Sequence, residues 1–191
     1  MDLIGLLAGS GFAAGLNLYL VTLLLGIAGR LDWADIPEAL QRTDVMITAG
    51  VLYAVEFVAD KVPYVDNLWD GLHTLIRPVG AAALGYVLAG DVSSIGQGVS
   101  AAVMGALALS AHSAKATTRA AVNTSPEPFS NIALSLFEDG LAAGLVALAL
   151  QFPAVAIVVV VILVVAAFYI VNRLWRALGR LRGKWSARAA Q

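Results

Sequence analysis

The sequence predicts an all-α fold, a polytopic membrane bundle of about six transmembrane helices in a single domain. The chain is 60% hydrophobic and only 13% charged, whereas soluble proteins carry about 25% charged residues. Residues 154–171 are eighteen consecutive apolar residues, which as a helix would measure about 27 Å, close to the ~30 Å hydrocarbon core of a bilayer. The apolar segments are also too long and too uniform for the alternating strands of an outer-membrane barrel.

Turn residues and charges divide the chain into six apolar segments. These segments cover residues 3–28, 44–62, 67–89, 95–122, 130–151 and 153–175. The first has no basic n-region and runs apolar for more than twenty residues, which favours a retained helix over a cleaved signal peptide. We therefore expect one transmembrane domain over residues 1–175.

A basic tail follows over residues 176–191. One interpretation is a positive-inside tail that anchors the last helix, and the other is a short basic amphipathic helix on the inner surface. Six of the twelve basic residues lie after residue 172 with no acid among them. Because cytoplasmic segments accumulate Lys and Arg, we expect the C-terminus in the cytoplasm, and six crossings place the N-terminus there too. The predicted location is the inner (plasma) membrane.

Two short strings suggest an internal repeat of two helical hairpins. LWDGL at 68–72 resembles LFEDGL at 136–141, and a helix with a polar inner end precedes each string. Glu56 and His112 occupy matching places in those preceding helices. Segments two and three would then form one hairpin and segments four and five the other, as parallel repeats. The alternative is a coincidence of composition, because Gly, Ala and Leu dominate both strings.

Four of the predicted helices each carry one polar stripe, because ionisable residues recur at i, i+3, i+4 and i+7. The stripes are Glu56 and Asp60; Asp66, Asp70, His73 and Arg77; His112, Lys115 and Arg119; Asn131, Ser135, Glu138 and Asp139. A charge at the bilayer centre costs about 2.5–3.5 kcal/mol, so these side chains need partners. We expect the stripes to face one another around a polar, hydrated cavity open to the cytoplasm.

The polar stripes have a functional and a structural interpretation. In the functional one they line a substrate or ion pathway, because intramembrane ionisable residues generally mark function. Arg77, Lys115 and Arg119 would then bind an anionic group, while four carboxylates balance charge or couple transport, namely Glu56, Asp70, Glu138 and Asp139. In the structural interpretation the same residues form a salt-bridge network that only fixes helix register.

The string NTSPEPFSN at 123–131 interrupts the helical pattern. Pro126 and Pro128 flank Glu127 and forbid a continuous helix, while hydroxyl residues supply caps. The break is either a re-entrant element whose helix N-terminus attracts an anion, or a plain interhelical loop.

Several other activities find no support in the sequence. There is no cysteine, which excludes disulfides and thiolate chemistry. The two histidines lack metal-ligand spacing, so we predict neither a metal nor a cofactor. The string GSGFAA at 9–14 has no preceding strand, and its small residues suit close helix packing instead of a dinucleotide. A formal charge of -1 indicates no nucleic-acid partner.

Three strings carry a family resemblance, namely AGLNLYLVTLLLGIAGR, LYAVEFVADKVPYVDNLWDGLHTLIRP and AHSAKATTRAAVNTSPEPFSN. Together they resemble a bacterial membrane family catalogued as domain of unknown function 4126, over roughly residues 8–150. The resemblance implies a small multi-spanning membrane protein and brings no activity.

From the residues we predict a small transporter or channel for an ion or small solute, with an anion slightly favoured. We expect it to be homo-oligomeric and to have the lipid bilayer as its surroundings. The alternative is a non-transporting scaffold or assembly protein, and a membrane-embedded enzyme ranks third. The pair Asp70 and Asp139 lacks the G-x-G-D signature of intramembrane aspartyl proteases.

Overall fold

The computed structural model describes residues 2–62, 64–90, 92–123 and 128–189, with side chains through residue 177 apart from residue 128. This part of the chain is all-helical, which confirms the all-α part of the predicted fold class. The helices are α1 (Leu3–Leu16), α2 (Leu18–Arg30), α3 (Glu38–Gln41), α4 (Thr43–Ala59), α5 (Val65–Leu88), α6 (Ser94–Val122), α7 (Pro128–Gln151) and α8 (Pro153–Ala189).

Three of these helices are long and apolar enough to cross a membrane. They span Ser94–Val122, Phe129–Gln151 and Pro153–Ala177, and the last has a mean hydropathy of 3.3. These spans agree with the last three predicted segments and support a membrane protein. The α5 helix has the length, at 24 residues, but its stripe of Asp, His and Arg lowers its hydropathy. The predicted count of six spans is not confirmed.

The two ends of the bundle are defined by contacts between helix termini. Asp66 at the start of α5 accepts hydrogen bonds from Asn123 after α6, at 2.9 Å. Asn131 near the start of α7 donates to Asn123 at 3.1 Å. Arg119 near the end of α6 binds the carbonyl of Asp60 after α4. We call this the lower end, and the end where α5 and α7 finish the upper end.

The prediction of a single helix over residues 3–28 is wrong, because the helix is interrupted at Asn17. Its backbone is extended, with φ −152° and ψ 99°. The α1 helix begins at the upper end, where Gly5 lies against Pro153, and descends along α7, so that Asn17 meets Asp139. Asp139 lies midway along α7. The α1 helix therefore stops halfway through the bundle.

The α2 helix returns to the upper end. It runs antiparallel to α4, because Gly26 lies against Met46 and Arg30 donates to the hydroxyl of Thr43, the first residue of α4. Since α4 descends toward Asp60, α2 ascends. Together α1 and α2 form a hairpin, with its tip beside the middle of α7 and both of its outer ends at the upper end. We call this element the α1–α2 hairpin.

Small residues allow α1 to occupy the centre of the bundle. From Gly9 to Leu16 every residue of α1 is buried. A Cβ atom on Gly15 would lie 2.2 Å from the carbonyl oxygen of Ala108 on α6, and one on Gly9 would lie 2.6 Å from the Ala149 side chain. The predicted role of these small residues, close helix packing, is confirmed.

The remaining sequence predictions have mixed outcomes. The α4–α5 and α6–α7 hairpins both descend and then ascend, as parallel repeats require, but the internal repeat itself is not confirmed. Pro126 and Glu127 lie outside the described residues, and Pro128 is the first residue of α7. The basic tail continues α8 as helix to Ala189.

Candidate functional site

The predicted polar stripes meet in one buried cluster below and around the tip of the α1–α2 hairpin. We call it the charge cluster. It is built from the lower halves of α4 to α7. All ten predicted pathway residues are buried, none more than 8% exposed. They are Glu56, Asp60, Asp70, His73, Arg77, His112, Lys115, Arg119, Glu138 and Asp139.

Arg77 lies at the upper side of the charge cluster and is completely buried. Its guanidinium donates to Glu56 Oε1 at 2.7 Å and lies 3.2 Å from Asp70 Oδ1. It also donates to Nδ1 of His112 at 2.8 Å and to the Gly15 carbonyl at 3.4 Å. A single cation thus joins three helices of the bundle to the end of α1.

The hydrogen bonds of His112 determine its protonation. An arginine can only donate, so Nδ1 of His112 accepts from Arg77 and the ring is neutral with its proton on Nε2. That Nε2 donates to Oγ1 of Thr74 at 3.2 Å, and Thr74 donates to the Asp70 carbonyl at 3.0 Å. His112 therefore extends the network of Arg77 without adding a charge.

His73 is fixed by two aromatic neighbours and the helix backbone. Its Nδ1 donates to the carbonyl of Trp69 at 2.8 Å, and its Nε2 lies 3.0 Å from the hydroxyl of Tyr19. Trp69 stacks on the ring at 4.7 Å, and Tyr19 meets it edge-on at 5.6 Å. Tyr19 belongs to α2, so this contact ties α5 to the α1–α2 hairpin. In the described part of the chain, no group of three His or carboxylate side chains could hold a metal ion.

Lys115 lies at the centre of the charge cluster. Its ammonium donates to Asp60 Oδ2 at 2.6 Å and to the carbonyl of Leu16, the last residue of α1, at 3.0 Å. Glu138 Oε2 and Glu56 Oε1 lie 3.5 Å and 3.7 Å from the same nitrogen. Four oxygen atoms from α1, the α4 terminus and α7 therefore surround one positive charge.

Arg119 closes the lower side of the charge cluster. It donates to Oε2 of Glu138 through both Nε and Nη2. It also donates to the Asp60 carbonyl at 2.7 Å and lies 3.3 Å from the Asp60 carboxylate and 3.5 Å from Asp66. The side chain is fully buried, so its charge is balanced only by these partners.

Asn17 connects the tip of the α1–α2 hairpin to α7. Its side-chain nitrogen donates to Asp139 Oδ1 at 3.0 Å, and its side-chain oxygen accepts from the Leu20 backbone N–H at 2.9 Å, which caps α2. Asp139 thus places its carboxylate beside the positive end of the α2 dipole, where a negative charge is stabilised. Oδ2 of Asp139 has no hydrogen-bond partner in the described part of the chain.

Sequence reasoning missed several members of the charge cluster. The stripe analysis found Asp66 and Asn131 but did not place Asp66 in the pathway, although both are completely buried. It missed Asn17, Tyr19 and Asn123 altogether. Asn17 had a signal, since it is the only amide in the apolar run between Asp2 and Arg30. The carbonyls at the end of α1 leave no signal in a sequence.

Negative groups outnumber positive ones in the charge cluster. Six buried carboxylates face three buried cations and the half-buried Lys61. The pathway residues predicted from the sequence did not include Asp66. Several buried carboxylate oxygens have no hydrogen-bond partner among the described residues, namely Glu56 Oε2, Asp60 Oδ1, both oxygens of Asp70 and Asp139 Oδ2. Among the described cations of the cluster, Nε of Arg77 is the buried nitrogen without a hydrogen-bond partner. The charge cluster can therefore accept additional hydrogen bonds, or bind a cation, more readily than it can donate additional hydrogen bonds.

Two apolar grooves reach the charge cluster from the sides of the bundle. One, of about 430 Å³, lies between α2, α4 and α5 and has Tyr19 in its wall. The other, of about 230 Å³, lies between α1, α6, α7 and α8 and has Lys115 and Glu138 in its wall. We call the second one the α7–α8 groove.

The family resemblance is confirmed. A family model described as "Domain of unknown function (DUF4126)" matches residues 4–173, and the chain therefore belongs to this family. The match includes most of the apolar part of α8, which the resemblance seen in the sequence did not cover. No curated protein and no solved structure matches the chain.

Proposed function

We propose that this member of the family is a small membrane transporter or channel whose pathway passes through the charge cluster. The observation that carries the proposal is the α1–α2 hairpin, whose tip lies at mid-depth against a buried network of ionisable side chains. Transporters commonly bind their substrates and coupling ions where a discontinuous helix ends near the bilayer midplane. Buried ionisable residues at this depth are costly and generally functional.

The ends of both half-helices contribute to the proposed pathway. The carbonyls of Gly15 and Leu16 form the negative end of the α1 dipole and accept from Arg77 and Lys115. On the other side of the break, Asn17 caps α2 and binds Asp139. The break therefore provides polar backbone groups at a depth where an intact helix would offer none.

The permeant or coupling species that suits the charge cluster is a proton or a small cation. The cations of the cluster are held by carboxylates and carbonyls, whereas five carboxylate oxygens have no hydrogen-bond partner among the described residues. An anion could reach the cations only by displacing the carboxylates that already bind them. The slight preference for an anion in the sequence analysis thus finds no support in the geometry.

The hairpin also leads us to a revised topology. With α1 and α2 re-entrant, α4 to α8 would make five crossings, and the two termini would lie on opposite sides. The basic tail still favours a cytoplasmic C-terminus in the inner membrane, so we propose that the N-terminus faces outward.

A structural role is the second candidate, and a specific observation favours it. Each of the three fully buried cations of the charge cluster contacts at least one carboxylate directly, with nitrogen-to-oxygen distances of 2.6 Å for Lys115 and 2.7 Å for Arg77. Such a network of ion pairs could hold six elements in register without transporting anything. A flux measurement separates this scaffold from a transporter.

The test uses Asp139, because its replacement by asparagine preserves a hydrogen-bond acceptor for Asn17. Purified native protein, Asp139→Asn and the control Glu38→Gln, an exposed residue of α3, are reconstituted in liposomes, and proton, sodium and potassium fluxes are measured under an imposed membrane potential. We expect flux of one of these ions in the native protein and the control, and flux at the level of empty liposomes for Asp139→Asn. Native protein that passes none of them would favour the scaffold.

A further inference from the structure

The four oxygens around Lys115 resemble a binding site for a cation. They come from Asp60 at 2.6 Å, Leu16 at 3.0 Å, Glu138 at 3.5 Å and Glu56 at 3.7 Å from Nζ. We call them the oxygen cage. The three carboxylates come from the C-terminal end of α4 and from α7, and each also contacts an arginine, since Glu56 binds Arg77 while Asp60 and Glu138 bind Arg119. Around Lys115 they nevertheless place three negative groups within 3.7 Å of one ammonium.

Two further observations distinguish the oxygen cage from an ordinary salt bridge. The second oxygens of Glu56 and Asp60 have no hydrogen-bond partner in the described part of the chain, although these residues are 0% and 1% exposed. The Leu16 carbonyl belongs to the C-terminal end of a half-helix, a group that coordinates cations in transporters with discontinuous helices. The carboxylates of the oxygen cage therefore have buried oxygen atoms that can still accept a hydrogen bond.

The α7–α8 groove leads from the side of the bundle to the oxygen cage. Lys115 and Glu138 lie in its wall, and the rest of the lining is mostly apolar, including Phe12, Leu134 and Phe137. Its volume of about 230 Å³ has room for a short alkyl chain. A ligand that fits both parts carries a positive head for the oxygens and an apolar tail for the groove.

We propose that the oxygen cage is a binding site for a primary ammonium group, and that Lys115 occupies it as a tethered ligand when no free one is bound. A primary ammonium has the three donors that Lys115 itself presents to the cage. The physiological use of the site rests on the proposed transport function. The site itself is defined by contacts alone and is tested by binding.

Lys61 provides a matched control for Lys115. Both are lysines beside the same network, but the ammonium of Lys61 donates to the Phe57 carbonyl at 2.9 Å and to Ser135 Oγ at 3.1 Å and lies over the Phe57 ring. These are neutral partners. Removing Lys61 therefore leaves no carboxylate cage behind.

The experiment measures the Tm of purified protein in detergent, in choline, sodium or propylammonium chloride at equal ionic strength. Propylammonium carries the three carbons and the nitrogen that Lys115→Ala removes. We expect it to raise the Tm of Lys115→Ala by about 5–10 °C at about one hundred times Kd. Sodium should do less and choline nothing. Lys61→Ala should show no preference among the three salts, and the native protein only a small one, because Lys115 competes.

A second variant separates an unfilled cage from a general failure to fold. Lys115→Ala with Asp60→Asn removes both members of the closest pair, so it should fold without an added amine and respond weakly to propylammonium. The proposal is overturned if Lys115→Ala has the same Tm in all three salts, if it aggregates in all of them while the double variant folds, or if sodium matches propylammonium. Because no flux is measured, these outcomes are independent of the transport test.

Discussion

Arg77 illustrates how the charge cluster holds its charges at the scale of single residues. The side chain is 0% exposed and contacts Glu56 and Asp70, so no solvent screens it. Two charges brought out of water regain their hydration cost only through mutual contact and further hydrogen bonds. His112 and the Gly15 carbonyl supply those bonds. The pairing is therefore needed for folding whether or not the cluster also transports.

Replacing Arg77 by methionine should strongly destabilise the fold. The variant would leave Glu56 and Asp70 buried without their cation, which typically costs about 3–5 kcal/mol of unfolding free energy. Denaturation in mixed micelles with increasing SDS measures this loss. The double variant Arg77→Met with Glu56→Gln removes both members of the closest pair and should recover part of it. A single variant as stable as the native protein would contradict the prediction.

At the scale of the element, the α1–α2 hairpin depends on close contact between α1 and its neighbours. Gly15 lies against the backbone of α6, where no side chain can rearrange to make room. The same contact places the carbonyls of Gly15 and Leu16 next to Arg77 and Lys115. Packing and electrostatics thus depend on the same few residues at the hairpin tip.

Gly15→Ala should therefore displace α1, whereas Gly144→Ala should not. The added Cβ on Gly15 would lie 2.2 Å from a carbonyl oxygen, while nothing lies within 4 Å of one on Gly144. We expect a loss of about 1–3 kcal/mol or more for Gly15→Ala from overpacking. Gly144→Ala should be neutral or stabilising by up to about 1 kcal/mol, because alanine favours helix. Equal SDS stability of the two variants would contradict the close contact.

At the scale of the whole molecule, the proposed re-entrant hairpin would place the N-terminus on the side of the membrane opposite the basic tail. A spanning first helix would place Asp2 on the same side as the basic tail. The hairpin instead places Asp2 with the loop that contains Asp35, because α1 starts and α2 ends at the upper end of the bundle. The two topologies thus differ in the side of the membrane from which Asp2 is accessible.

Single-cysteine labelling can distinguish the two topologies, since the native chain has no cysteine. We expect Asp2→Cys and Asp35→Cys to react with a membrane-impermeant thiol reagent from the same side, and Ser186→Cys in the tail to react from the other. The cysteine-free native protein controls for background. If Asp2→Cys and Ser186→Cys react from the same side, the first segment spans the membrane and the hairpin topology is wrong.

Hydropathy and spacing by themselves determined the all-helical fold, the three helices long and apolar enough to cross a membrane, and nearly all ionisable members of the charge cluster. Burial in lipid demands long apolar helices, and charges at helical spacing must share a face, so these features are local consequences of the residues. The tertiary structure decided that the chain turns back at Asn17, because an apolar segment of 26 residues is compatible with one helix or two. It also decided which charges meet and which oxygens remain free, since partners such as the Leu16 carbonyl come from backbone brought close only by packing.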